Sequence, residues 1–141
     1  MLKLEYRIVL DTNVVLRAIS SKSSLSSILD ALNLGKFSLV VSSEILFEYE
    51  EIITRFYGKL TAQTFLDFLL MLPNVERIEP YFMLNLITND SDDNKFVDCA
   101  FAGNAHYIVS NDKHFNALQE VEFPKLSVIT GEDFAELLQQ L

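Results

Sequence analysis

The sequence predicts an α/β fold with a central parallel sheet whose strands run in the order 3-2-1-4-5. Three observations predict it. Short, nearly continuous apolar runs recur at Ile8-Val9-Leu10, Leu39-Val40-Val41 and Ile108-Val109, as expected of strands covered on both faces. The segments between the strands are long and mostly helical in pattern, which parallel pairing requires. Two further stretches, 75–79 and 126–129, alternate apolar and polar residues and so belong at the edges. That arrangement reverses the strand order between strands 1 and 4, and open sheets of this kind bind ligands outside the carboxyl ends of the strands at such a reversal.

Each element has a local reason. Residues 6–10 form strand 1, and Asp11 is suited to cap the short helix that follows. Residues 23–34 carry apolar side chains at helical spacing (Leu25, Ile28, Leu29, Leu32) and stop at Gly35. Residues 37–41 form strand 2. Ser42 and Ser43 offer N-caps for a helix through about Tyr57, ending at Gly58, with Ile45, Tyr49, Ile52, Ile53 and Phe56 as its apolar stripe. Thr61 caps the next helix, which Pro73 terminates. A short helix is expected through Phe82-Met83-Leu84, within 80–89. Residues 92–104 form a helix with Phe96, Val97 and Ala100 on one face. Residues 107–110 form strand 4, 114–120 a short helix, and 126–129 strand 5. Thr130 caps a last helix, whose first turn holds Glu132 and Asp133, where the helix dipole favours them.

The 141 residues suffice for one domain with a real core. Half of them are apolar, and the mean hydropathy of +0.21 suggests a buried partner or oligomer surface. The apolar stretch 65–72 is too short and interrupted to span a bilayer. The first residues lack a long apolar run, so no signal peptide is evident, and a cytoplasmic protein is the simple expectation. Cys99 is the only cysteine, which excludes an internal disulfide and a thiolate metal site; it reads as a core residue. No repeat, linker or glycine-rich phosphate loop is present.

The formal charge is −9. Acidic proteins do not usually hold nucleic acid through phosphate contacts alone, so either the partner is something else or bound cations reverse the sign locally. Four acids give that choice its content. Asp11 ends strand 1. Glu48 stands at the border of its helix's apolar stripe. Asp93 lies in the first turn of its helix, with Asp90 and Asp92 as rivals. Asp112 follows strand 4 after Ser110 and Asn111. Each alone has an ordinary structural role as cap, solvated face, dipole partner or turn residue. Together they converge on the crevice at the strand reversal. Two carboxylates about 5 Å apart repel by roughly 3 kcal/mol at an effective dielectric of 20, so protons or a divalent cation must join them. All-oxygen ligands select Mg²⁺ or Mn²⁺ over zinc. Such a site suits in-line attack on a phosphodiester.

Four segments carry a resemblance. They are Ile8-Val9-Leu10-Asp11-Thr12-Asn13-Val14, the stretch from Val41 to Tyr49, Asp92-Asp93-Asn94-Lys95-Phe96-Val97-Asp98-Cys99-Ala100, and the stretch from Ala105 to Asp112. In these the chain resembles the PIN-domain ribonucleases, above all the branch that serves as toxin in bacterial and archaeal toxin–antitoxin pairs. The resemblance implies a single PIN-like domain over 1–141, a three-layer α/β/α architecture, and a magnesium- or manganese-dependent endoribonuclease acting on single-stranded RNA. It implies that Asp11, Glu48, Asp93 and Asp112 are the catalytic, metal-holding acids, with Glu48 as a ligand or as the orienter of the attacking water. It further implies that Asn13 and Ser110 bond water or phosphate, that an antitoxin protein binds the chain, and that the chain forms a homodimer or higher oligomer. Asn111 stands where many relatives have glycine. Asp98 is a lesser candidate, expected to assist from behind the ligands.

Lys95, Lys113 and His114 flank the proposed ligands, and Arg17, Lys22, Arg55 and Lys59 would extend a phosphate path. His106 and His114 lack a metal-ligand partner at helical or hairpin spacing and read as structural or solvated. An alternative is a catalytically silent PIN-like module that binds RNA or protein, with Phe47 and the helix around 65–72 as surfaces. A phosphatase with Asp11 as nucleophile fits less well, because no second Asp follows two residues later.

Overall fold

A computed structural model of the chain describes residues 5–87, 93–122 and 124–141. Five parallel strands form one sheet in the order β3-β2-β1-β4-β5, as the apolar patterning requires. They are β1 (Arg7–Leu10), β2 (Ser38–Val41), β3 (Val75–Arg77), β4 (Tyr107–Val109) and β5 (Val128–Ile129). The helices are α1 (Thr12–Ile19), α2 (Ser26–Asn33), α3 (Ser43–Tyr57), α4 (Lys59–Met71), α5 (Asn94–Ala102) and α6 (Gly131–Gln139), with a 3-10 helix at Lys113–Glu120. They flank the sheet in a three-layer α/β/α arrangement. No helix among the described residues is long and apolar enough to cross a membrane.

The central strands vanish into the core: Ile8, Val9, Leu10, Leu39 and Val40 have no exposed surface. Cys99 is buried there as expected, and burial pushes its thiol up to about 12. Ser42 caps α3 by accepting the Ile45 N–H at 3.3 Å, and Thr130 caps α6 by accepting the Asp133 N–H at 3.1 Å. Tyr49 of α3 donates its hydroxyl to the Leu10 carbonyl at 2.5 Å. This bond seats the helix on the end of β1, one residue from Asp11. Gly103 ends α5 where a side chain would not fit, since a Cβ there would lie 2.6 Å from Val40 Cγ1.

Several elements differ from expectation, each for a physical reason. No helix forms at Phe82–Leu84. The Leu84 N–H bonds the Asp98 carboxylate at 3.0 Å, and Ile87 exchanges both its backbone groups with the Asn94 amide at 2.9 Å. Side chains of α5 thus take the backbone bonds that a helical turn would have used. Helix α4 begins at Lys59 rather than after Thr61, because Gly58 adopts φ +94° and turns the chain directly from one helix into the next. Phe56 leaves the core and is 63% exposed. Fifteen helical residues rise about 22 Å while four strand residues span about 13 Å, so the last turn of α3 overhangs the sheet. The edge strands β3 and β5 are shorter than their alternating patterns. Asp90 and Asp92 lie outside the described residues.

Candidate active site

The site is built at the strand reversal, where β1 and β4 lie side by side. The Asp11 N–H continues their ladder by donating to the Val109 carbonyl at 3.0 Å. Its own carbonyl then accepts from Val14 and Val15, starting α1. Asp11 is therefore fixed by backbone on both sides, and only 4% of it is exposed. On the neighbouring strand end, the Ser110 hydroxyl donates to Asp11 Oδ2 at 2.7 Å and accepts the Asp112 N–H at 3.0 Å. One hydroxyl ties the two strand ends together.

Asp112 starts the 3-10 helix by accepting the His114 N–H at 2.9 Å. That turn brings the His114 ring back over the site. Its Nδ1 lies 3.2 Å from Asp112 Oδ1 and 3.3 Å from Asp93 Oδ2. Asp93, Asp112 and His114 each present a ligand atom within 4.8 Å of the others. Glu48 enters from α3. One of its oxygens accepts Lys95 Nζ at 2.8 Å, and the other accepts the Thr12 hydroxyl.

The Asp11 carboxyl is strongly perturbed. Burial, first, raises its pKa from the ordinary 3.8 to about 6, and the charges of Asp112 and Glu48 add to the rise against the opposing bonds from Ser110 and Thr12. The cause is geometric: a carboxylate is held under the sheet rim with like charges beside it.

The four predicted acids thus come to one rim, linked through Thr12, Ser110 and His114. They are not equivalent. Asp93 and Asp112 lie with His114 in a group close enough for a shared ion, whereas Asp11 and Glu48 stand outside that group. The donor set fits a hard divalent cation, being mostly carboxylate oxygen. Ser110 is buried with its hydroxyl engaged by protein atoms on both sides, so it positions Asp11 rather than facing solvent. Asn13 is exposed on α1. Arg17 is drawn away by Glu132, at 3.1 Å. Two participants escaped the sequence reading, Thr12 and the ring of His114. The signal for His114 was its place two residues beyond Asp112, but its second carboxylate partner comes from α5 and no local spacing reveals it. His106 is structural as expected, accepting the Arg7 N–H at 2.9 Å.

The acids gather at the topological reversal of a parallel α/β sheet, the place where open sheets of this kind bind ligands. The PIN domain family model matches residues 7–114, and the chain belongs to that family. No curated protein matches it by sequence. Among solved structures it is similar to VapBC2 from Rickettsia felis, bound to a DNA fragment from their promoter, at 20% identity and TM-score 0.61 over 88% of this chain and 98% of that one. It is also similar to Mycobacterium tuberculosis VapC20, a sarcin-ricin loop cleaving toxin, at 15% identity and TM-score 0.56 over 82% and 97%. The PIN domain of human SMG5 matches at 10% identity and TM-score 0.56 over 93% and 97%. At these identities the likeness is one of fold.

Proposed function

We propose that the chain is a divalent-metal-dependent endoribonuclease that cleaves single-stranded RNA, and that it is the toxin of a toxin–antitoxin pair. The observation that supports this most is the placement of Asp11: buried at the end of β1, bonded by Ser110, flanked by Asp112 and Glu48, and raised to about 6. A carboxylate in that position gains most from a bound cation. Family membership and the likeness to toxins such as VapC20 support the nuclease reading. The likeness to the VapBC2 assembly supports an antitoxin partner.

In this reading Asp93 and Asp112, with Asp11 joined to Asp112 through the Ser110 hydroxyl, would hold the metal, Mg²⁺ or Mn²⁺, which would polarise the phosphoryl oxygen and lower the pKa of the attacking water. Glu48 lies at the rim of the cluster, where it orients that water. Thr12 fixes one Glu48 oxygen, and Ser110 fixes Asp11. Lys95 balances Glu48, the His114 ring lies between Asp93 and Asp112, and both side chains lie where an incoming phosphate would be met. Asn13, exposed on the first turn of α1, bonds water or phosphate. The domain spans 1–141, acts in the cytoplasm and forms a homodimer. The exposed apolar residues Phe47, Phe56, Leu60 and Met71 on α3 and α4 are consistent with a partner surface.

The direct test is incubation of single-stranded RNA with the purified chain and Mn²⁺ or Mg²⁺. Cleavage is expected with either ion, is abolished by chelator, and falls about a thousandfold in Asp11→Asn. Activity that survives chelation, or that Asp11→Asn leaves undiminished, overturns the reading.

A further inference from the structure

Beside the acid cluster lies a cavity of about 420 Å³ that the proposed chemistry does not use. Its walls come from the start of α3, the loop after β3 and the start of α5. Asp98 forms part of its lining and is only 7% exposed. Asp98 Oδ1 accepts the Leu84 N–H at 3.0 Å. Its Oδ2 has no hydrogen-bond partner among the described residues, yet is not sealed from solvent. An acceptor open to the cavity exchanges its water for a ligand donor at little cost. Glu44 lines the same cavity, close enough that its charge acts on Asp98.

The other walls differ in chemistry. Tyr81 is 99% exposed at the mouth, and Phe82, 49% exposed, packs edge-on against Phe101 with centroids 5.5 Å apart. Lys95 is shared: it lines the cavity and also bonds Glu48 at 2.8 Å. The cavity is therefore continuous with the proposed catalytic rim.

We propose that this cavity is a base-recognition pocket that selects guanine in the nucleotide next to the cleaved phosphodiester, with Asp98 as its buried acceptor and Tyr81 as its stacking face. The inference rests on the ribonuclease reading. Guanine carries adjacent imino and amino donors on its Watson–Crick edge, which match two acidic acceptors. Adenine and cytosine place a ring acceptor beside their amino group, which a carboxylate repels, and uracil offers a single donor. Single-stranded RNA is recognised in just this manner, by aromatic stacking and edge hydrogen bonds. A cationic protein side chain would also answer an acid. The exposed aromatic mouth and the lysine shared with the catalytic rim favour a nucleotide.

The test uses binding, so that it does not depend on cleavage. The full chain carrying Asp11→Asn is titrated with labelled six-nucleotide single-stranded RNAs that differ at one base, in Mg²⁺. The guanine RNA is expected to bind about tenfold more tightly than the others. Adding Asp98→Asn should erase that preference, because its amide places a donor where Oδ2 stood while its oxygen still accepts from Leu84; an unchanged melting temperature verifies the fold. Tyr81→Ala should weaken all four RNAs by about tenfold. Equal affinity for the four RNAs, a preference that survives Asp98→Asn, or Asp98-dependent binding of an arginine peptide in place of RNA overturns the proposal. Guanine preference in a chain that cleaves no RNA would count against the ribonuclease reading and leave the pocket standing.

Discussion

The acids at the rim divide by how the protein itself balances them. Glu48 lies against Lys95 at 2.8 Å, and Asp93 and Asp112 share the His114 ring at 3.3 and 3.2 Å. Asp11 has no cationic side chain among its described partners. It has a serine hydroxyl, and its pKa rises to about 6. Glu48 rests against a lysine, and Asp93 and Asp112 rest beside a ring nitrogen, whereas a buried carboxylate beside like charges gains most from an added cation. The need for a cation is thus concentrated at Asp11.

The largest test of this contrast is Asp11→Asn. Cleavage should fall on the order of a thousandfold, read as product per unit time on single-stranded RNA. The same variant should be more stable in chelator. Asn still accepts from Ser110, and the variant removes a group whose displacement to about 6 corresponds to about 3 kcal/mol of strain at neutral pH. The sign follows from linkage. Between 3.8 and about 6 the native state holds the Asp11 proton more tightly than the unfolded chain. This group's contribution to stability therefore falls as pH rises through that window and stays low above it. Denaturant melts of wild type against Asp11→Asn at pH 4 and pH 7 read the effect: a gap at pH 7 that closes at pH 4. Equal curves at both values would remove the distinction between Asp11 and its neighbours.

Metal binding should follow the same proton. Mn²⁺ affinity, measured by titration calorimetry, should drop by about tenfold per pH unit below about 6, as Asp11 takes up its proton. Ser110→Ala sharpens this. The Ser110 bond holds the Asp11 pKa down against burial, so its loss should move the midpoint of that profile to higher pH. It should also lower stability by about 1 kcal/mol.

Much of the architecture was legible because it depends on coarse patterning. Continuous apolar runs mark the strands covered on both faces, and alternating runs mark the edges, so the strand order follows. Asp11 and Asp112 were legible for the same reason, as acids at the ends of adjacent strands. What could not be read locally were contacts between distant segments. The loop around Leu84 looked helical because nothing nearby reveals that Asp98 and Asn94 will capture its backbone. His114 looked solvated because its bond to Asp93 joins two elements across the rim. Ser110 was expected to face water or phosphate; its burial between Asp11 and the Asp112 N–H depends on the β1–β4 pairing.

The smallest expected effect tests the other half of the contrast. Lys95 and Glu48 have side chains 15% and 23% exposed, and a pair so placed contributes about 1 kcal/mol. Lys95→Met removes the cation but keeps most of the apolar stem that passes Phe96, whose ring centre lies 5.6 Å from Nζ. In chelator the variant should lose that small stability, because among the described residues Glu48 keeps only the Thr12 hydroxyl. In Mn²⁺ the loss should shrink, since an ion at the rim supplies the missing positive charge. Mn²⁺ affinity should stay level or rise a few-fold, because a competing cation has gone. If Lys95→Met instead weakens Mn²⁺ binding as severely as Asp11→Asn does, then lysine is part of the metal site's support and the division between balanced and unbalanced acids is wrong.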